Sequence, residues 1–192
     1  MTEPRLVAHA TYARRPWRNG RGISRDIASG PGWQLSLADI ERSGRFSDFA
    51  GYLRLFAIVA GAVVLHRSGS RPLACDPTAP VVAFDGGEAP DCEVVAGPAR
   101  ALNLIVPVGM AARLERLTLD PGMDVAVGSG DHQDLDRPAS LVFVQSGAVA
   151  CGSLRAGGWD SLVGFGADPG GRFLLRAVDG QRAQALVATI GA

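Results

Sequence analysis

Arg54 interrupts an apolar run, Leu53 to Leu65, that is otherwise broken only by Gly61. A guanidinium in such a run is costly unless it meets a partner. Its planar fork of donors holds a carboxylate through two parallel charge-assisted hydrogen bonds, a geometry that lysine does not reproduce. Arg18 and Arg25 supply two further forks upstream. Trp17 and Trp33 offer flat apolar walls beside them, and Ser36 and Ser47 offer hydroxyls. Asn19 and Asn103 add donors and acceptors suited to an amide- or formimino-like group. Taken together, the stretch from Arg14 to Gly61 reads as the wall of a pocket for a small anionic molecule. Competing readings exist for each residue. Arg54 is equally an outward strand charge, or a structural partner of Asp26 or Asp48. Asn19 is equally a turn former, Trp17 and Trp33 are equally core, and Phe46 reads as core.

Other chemistries find less support. The histidines, His9, His66 and His132, fall in separate elements with no HxH pair, so no metal-ligand set is expected. Cys75, Cys92 and Cys151 are odd in number and scattered, which argues against a disulfide framework or a zinc site and for buried thiols. There is no GxSxG and no cysteine beside a histidine. Asp131, Asp134 and Asp136 read as a solvated acidic loop, without the pattern of a calcium loop. All 19 basic residues are arginine, which excludes an internal Schiff base. The formal net charge is zero, which argues against a nucleic-acid surface. No cofactor is expected.

The elements that must position these residues are strands. The 192 residues are 47% apolar, enough for one large domain or two small fused ones. Trp33 to Ile40 alternates: Trp33, Leu35 and Leu37 point one way, and Gln34, Ser36 and Ala38 the other. A barrel strand with a packed side and a pocket-facing side has this pattern. Short strands are also expected at Leu6–Tyr12, Ser24–Ala28, Val81–Phe84, Val94–Ala96, Ala101–Val106, Ala112–Leu119 and Met123–Val127. Further strands follow at Ser161–Phe165, Arg172–Val178 and Ala183–Ile190. Leu53–Ala60 and Ala62–His66 read as a hairpin on Gly61, and Leu141–Val144 and Ala148–Cys151 as a hairpin across Ser146-Gly147. Turn signals recur about every ten residues, and no segment keeps a capped helical period. The fold class is therefore all-β, a sandwich or barrel. No apolar run reaches the roughly 18 residues that span a bilayer, and the N-terminus lacks a secretory pattern. A cytoplasmic protein with no membrane partner is expected.

FAIVAGAVVL followed by PVVAFDG echoes LVFVQSGAVACG followed by SLVGFGAD. The echo suggests two related β-barrel halves. The segments PWRNGRGISRDIA, GWQLSLADI, SGRFSDFAGYLRLFAIVAG and VAGPARALNLIV resemble successive motifs of the HutD/Ves family, over Pro16 to Val108 and more loosely around Gly147. The resemblance implies a bicupin, two jelly-roll-like barrels in one chain, with residues 1–108 and 109–192 as the halves and strands exchanged across that boundary. It also implies a soluble bacterial protein associated with histidine utilisation that binds or senses a small molecule, such as formimidoylglutamate or urocanate. The chain departs from the family pattern at Gln34, where arginine is usual, and at Ala101-Leu102, where Asp-Phe is usual. These departures bear on the ligand more than on the fold.

The expected function is metal-independent binding of a small anionic metabolite in a regulatory or governor role. The alternative is an acid–base enzyme, an isomerase or hydrolase acting on such a metabolite. A third reading is an interaction module with an exposed apolar face. Homodimerisation would cover the edge strands of two barrels.

Overall fold

A computed structural model describes residues 4–127, 139–165 and 173–191; within them the regular structure is strand apart from two single 3-10 turns, His9–Thr11 and Gly86–Glu88. The acidic segment 128–138, with His132, Asp131, Asp134 and Asp136, lies outside the described residues. Contacts divide the chain into Ala13–Gly109 and a second unit that joins the segment up to Tyr12 to Met110 and beyond. The expected division at 108/109 thus meets a chain in which residues 4–12 group with Met110 and beyond.

The chain opens with β1 (Arg5–Val7), shorter than the strand expected to reach Tyr12, because His9–Thr11 curls into a 3-10 turn. The unit that follows contains β2 (Ala13–Pro16), β3 (Ile23–Gly30), β4 (Trp33–Ile40), β5 (Gly44–Arg45), β6 (Tyr52–His66), β7 (Leu73–Cys75), β8 (Val82–Asp85) and β9 (Asp91–Pro107). They form one sheet in the order β2-β3-β4-β9-β6-β7, with β5 added to β9 and β8 to β6. Arg54 to Val59 are buried without alternation, which explains why that stretch of β6 is apolar on both faces. Ile40, Phe46, Phe56, Ile58, Val63, Leu65 and Phe84 build the core, with the free thiols of Cys75 and Cys92 among them. Burial pushes the Cys92 thiol up to about 12.

Gly61 does not turn a hairpin. β6 runs through it as one strand of 15 residues, and β9 likewise runs through Gly97-Pro98 as one strand of 17 residues. The pairing passes from Ala60↔Arg100 to Ala62↔Ala96, so residues 97–99 bulge opposite Gly61. A bulge tolerates Pro98, which has no N–H for a ladder. Gly61 has φ +71°, and a Cβ there would lie 2.5 Å from the Ala96 carbonyl oxygen and 2.7 Å from Ala99 Cα. Both the conformation and the close approach demand glycine.

The second unit continues with β10 (Ala112–Leu119), β11 (Asp124–Val127), β12 (Ala139–Ser146), β13 (Val149–Cys151), β14 (Leu154–Ala156), β15 (Ser161–Phe165), β16 (Phe173–Ala177) and β17 (Ala183–Ile190). Two sheets result, β1-β15-β12-β17-β10 and β11-β16-β13-β14. Leu119, Val142, Val144, Val149, Leu162, Leu175 and Ala183 fill the space between them. The hairpin expected across Ser146-Gly147 is replaced by a change of sheet: β12 pairs with β15 and β17, while β13 pairs with β14 and β16. Gly147 has φ +73°, and a Cβ on it would lie 2.9 Å from Ala183 Cα. The two echoed glycines therefore share one job, a close backbone crossing, although one lies mid-strand and the other between sheets.

The N-terminal segment is fastened within this second unit. Tyr12, 6% exposed, donates to the Trp159 carbonyl at 2.7 Å and shares a 2.7 Å hydrogen bond with Ser161 Oγ. The backbone N–H of His9 donates to Asp160 Oδ1 at 2.9 Å, and the His9 ring meets Tyr12 and Trp159 edge to face. Burial drives the Tyr12 hydroxyl pKa well above its ordinary value.

Candidate functional site

A cavity of about 150 Å³ opens in the Ala13–Gly109 unit. The alternation of β4 builds one wall. Gln34, Ser36, Ala38 and Ile40 face the cavity, while Leu35 and Leu37, at 1% and 0% exposure, pack on the opposite side. Neighbouring β9 adds Asn103, which pairs with Ser36 across the ladder, and Ile105. β6 adds Arg54 and Phe56, and the segment between β5 and β6 adds Phe46, Ser47 and Phe49. Trp17 and Arg18, just after β2, line it with Arg15 and Pro16.

Arg54 is the chemical centre. It is 5% exposed, and among the described residues no carboxylate pairs with it. Its Nε and Nη2 both donate to Asn103 Oδ1 at 3.3 Å, and its Nη1 donates to the Ser47 carbonyl at 3.5 Å. These are long bonds for charged donors. A guanidinium has five N–H groups, so one hydrogen on each Nη is left. Those two are the donors left to meet an anion. The rings of Phe46, Phe84 and Phe49 lie 5.0, 5.1 and 5.5 Å from the Arg54 guanidinium carbon. They offer the cation their π faces but no counter-charge. Desolvation lowers the Arg54 pKa to about 10, so the group is still charged at neutral pH but held at a cost.

Arg18 stands nearer solvent, with its guanidinium carbon 4.4 Å from the Phe49 ring centre, so one ring carries two cations. Ser36, 2% exposed, faces the cavity without a side-chain hydrogen bond to another described residue. Ser47 Oγ accepts from the Asn19 backbone N–H at 3.4 Å.

Six of the sequence-derived candidates therefore line one cavity: Trp17, Arg18, Ser36, Ser47, Arg54 and Asn103. Three do not. Arg25 turns to Asp39, donating from Nη2 to Oδ2 at 2.7 Å, while Arg100 Nε lies 3.1 Å from the other oxygen. Asn19 braces a turn, accepting from the Arg21 N–H and donating to the Arg45 carbonyl, each at 3.0 Å. Trp33 folds over Gly30, its ladder partner, where a Cβ would fall 2.4 Å from its indole nitrogen. Gln34 and Ala38 line the cavity on the side of β4 expected to face a pocket, and Arg15, Phe46, Phe49, Phe56 and Ile105 join it without having been expected there. Arg15 and Gln34 grip Asp26 from two sides, which keeps that carboxylate away from Arg54. Ile105 was legible in principle, since it follows from the side taken by Asn103. Among the described residues, no group of three or more His, Cys, Asp or Glu side chains is gathered as a metal site would require.

The HutD family profile matches residues 9–162. An uncharacterised 21.2 kDa protein from the region 3′ of hutC in Pseudomonas putida is 32% identical, covering 91% of this chain and 97% of its own. The structure of HutD from Pseudomonas fluorescens SBW25, in a formate condition, superposes with a TM-score of 0.74 at 25% identity, covering 98% of this chain and 100% of that one. A cupin barrel protein from Leptotrichia buccalis superposes with a TM-score of 0.62 at 8% identity, covering 99% and 98%, which shows a shared cupin fold alone. No described helix is long and apolar enough to cross a membrane.

Proposed function

The chain belongs to the HutD family, and we propose that its Ala13–Gly109 unit binds a small carboxylate in the cavity around Arg54, without a metal, as a sensor or governor of metabolite level. The observation that carries this is a buried guanidinium with no carboxylate partner among the described residues and two donors left over. An anion in front of it restores the solvation that burial removes. Ser36 adds a hydroxyl beside the bound group, and Phe49, Trp17 and Ile105 cover a flat organic body. The family's association with the histidine-utilisation locus points to anionic intermediates of that pathway, urocanate and formimidoylglutamate, as the first compounds to try.

Binding is favoured over acid–base catalysis by the lining itself. The ionisable groups on it are the guanidiniums of Arg15, Arg18 and Arg54, and no carboxylate, imidazole, thiol or phenol of a described residue lines it to serve as a general acid or base. Calorimetric titration with both compounds and with simple monocarboxylates tests the proposal. Saturable binding that disappears in Arg54→Met is expected. Silence toward every anion at millimolar concentration, or equal binding by the variant, contradicts it.

A further inference from the structure

A second site stands outside that cavity. The tight turn Trp17–Gly22 and the segment Arg42–Arg45, which leads into β5, face one another across a groove of about 340 Å³. Arg21, Arg42 and Arg45 line it with Ser43, and no acidic residue does. Among the described residues none of the three arginines is in an ion pair, although the chain as a whole is neutral. Asp91 is the ladder partner of Arg45, yet the Arg45 Nε donates instead to the Ala89 carbonyl at 3.0 Å.

The groove is also braced. The Asn19 side chain ties the Trp17–Gly22 turn to β5, accepting from the Arg21 N–H and donating to the Arg45 carbonyl. Arg21 Nη1 lies 3.3 Å from where a Cβ on Gly44 would stand, so glycine there makes room for the guanidinium to lie across the turn. Gly44 has φ +153°, a second reason for glycine. Three like charges held on one short groove repel each other, and a single ligand with two or more negative charges relieves all three.

We propose that the groove between these two segments binds a multiply charged oxyanion, a phosphate-bearing or polycarboxylate ligand, at Arg21, Arg42 and Arg45. It is independent of the Arg54 cavity, from which it is divided by residues that line both, Trp17 and Phe46. The full chain is titrated calorimetrically with inorganic pyrophosphate and with citrate, with chloride at matched ionic strength as the control. One pyrophosphate or citrate per chain is expected, weakened about tenfold or more in the Arg21→Gln/Arg42→Gln double variant. Both side chains are exposed, so this variant keeps its fold. Arg54→Met is expected to leave this binding unchanged, which separates the groove from the cavity. Preference for pyrophosphate assigns a phosphate-bearing ligand, and preference for citrate a polycarboxylate. The proposal is overturned if neither anion binds beyond the chloride control, if the double variant binds unchanged, or if Arg54→Met abolishes the binding.

Discussion

Asn103 Oδ1 accepts from both Nε and Nη2 of Arg54, each at 3.3 Å, so a neutral amide occupies the place where a buried arginine would ordinarily find a carboxylate. The pairing follows from register. Asn103 stands opposite Phe56, two residues along β6 from Arg54 and on the same face. An amide orients the guanidinium without cancelling its charge. The charge is thereby aimed into the cavity and left for a ligand.

Replacing Asn103 by Asp supplies the missing counter-charge. Asn103→Asp is expected to keep or raise the melting temperature while weakening carboxylate binding about tenfold or more. Asn103→Ala, which removes orientation without adding charge, should weaken binding and lower stability by about 1 kcal/mol. Thermal melts with and without ligand, on both variants, check the pair.

Arg54 is itself a cost to the empty protein. A guanidinium pKa lowered from its ordinary value to about 10 corresponds to a penalty on the charged form on the order of 3 kcal/mol. Arg54→Met, similar in length and apolar, should therefore melt higher than the ligand-free parent and lose the ligand-induced shift. A melt lower than the parent would contradict the reading of an unpaired buried charge.

The same shift sets a pH dependence. The folded-state pKa is depressed, so the folded protein loses the Arg54 proton at a pH where the unfolded chain still holds it. Carboxylate affinity should be level from about pH 6 to 9 and fall as pH rises through about 10. Calorimetry across that range reads it directly.

How far the site was legible depended on what a residue type alone can say. The alternation of Trp33 to Ile40 named the cavity-facing side of β4, and the charge inside an apolar run singled out Arg54. Register was not legible. Arg25 meets Asp39 because Ile23, two residues before it, pairs with Asp39 across β3 and β4, and no local pattern reveals that offset. Gly61 and Gly147 read as hairpin turns because a turn and a bulge ask for the same positive φ. Phe49 lies in a loop with no period, so its place beneath two guanidiniums had no signal.

Gly61 makes that distinction testable. Gly61→Ala places a methyl 2.5 Å from the Ala96 oxygen and forces alanine to φ +71°, for a loss of about 2–4 kcal/mol. A simple exposed turn would lose far less. Denaturant unfolding measures the difference.

Tyr12→Phe removes the hydrogen bonds to Trp159 and Ser161 and should destabilise the unit containing Tyr12 by about 1–2 kcal/mol. Carboxylate binding should be unaffected, since the cavity lies in Ala13–Gly109. The raised Tyr12 pKa predicts stability lost above about pH 10, where the unfolded chain gives up the proton first. That component should be missing from the variant.

The most direct test is nuclear magnetic resonance of the arginine side chains, with the Arg54 Nε–H signal assigned by its absence from Arg54→Met. On adding a small carboxylate, the Arg54 signal should move in a saturable way and its proton exchange with water should slow. A signal that stays in place while the ligand binds elsewhere, or that never responds to any carboxylate, would contradict the assignment of Arg54 as the anion receptor.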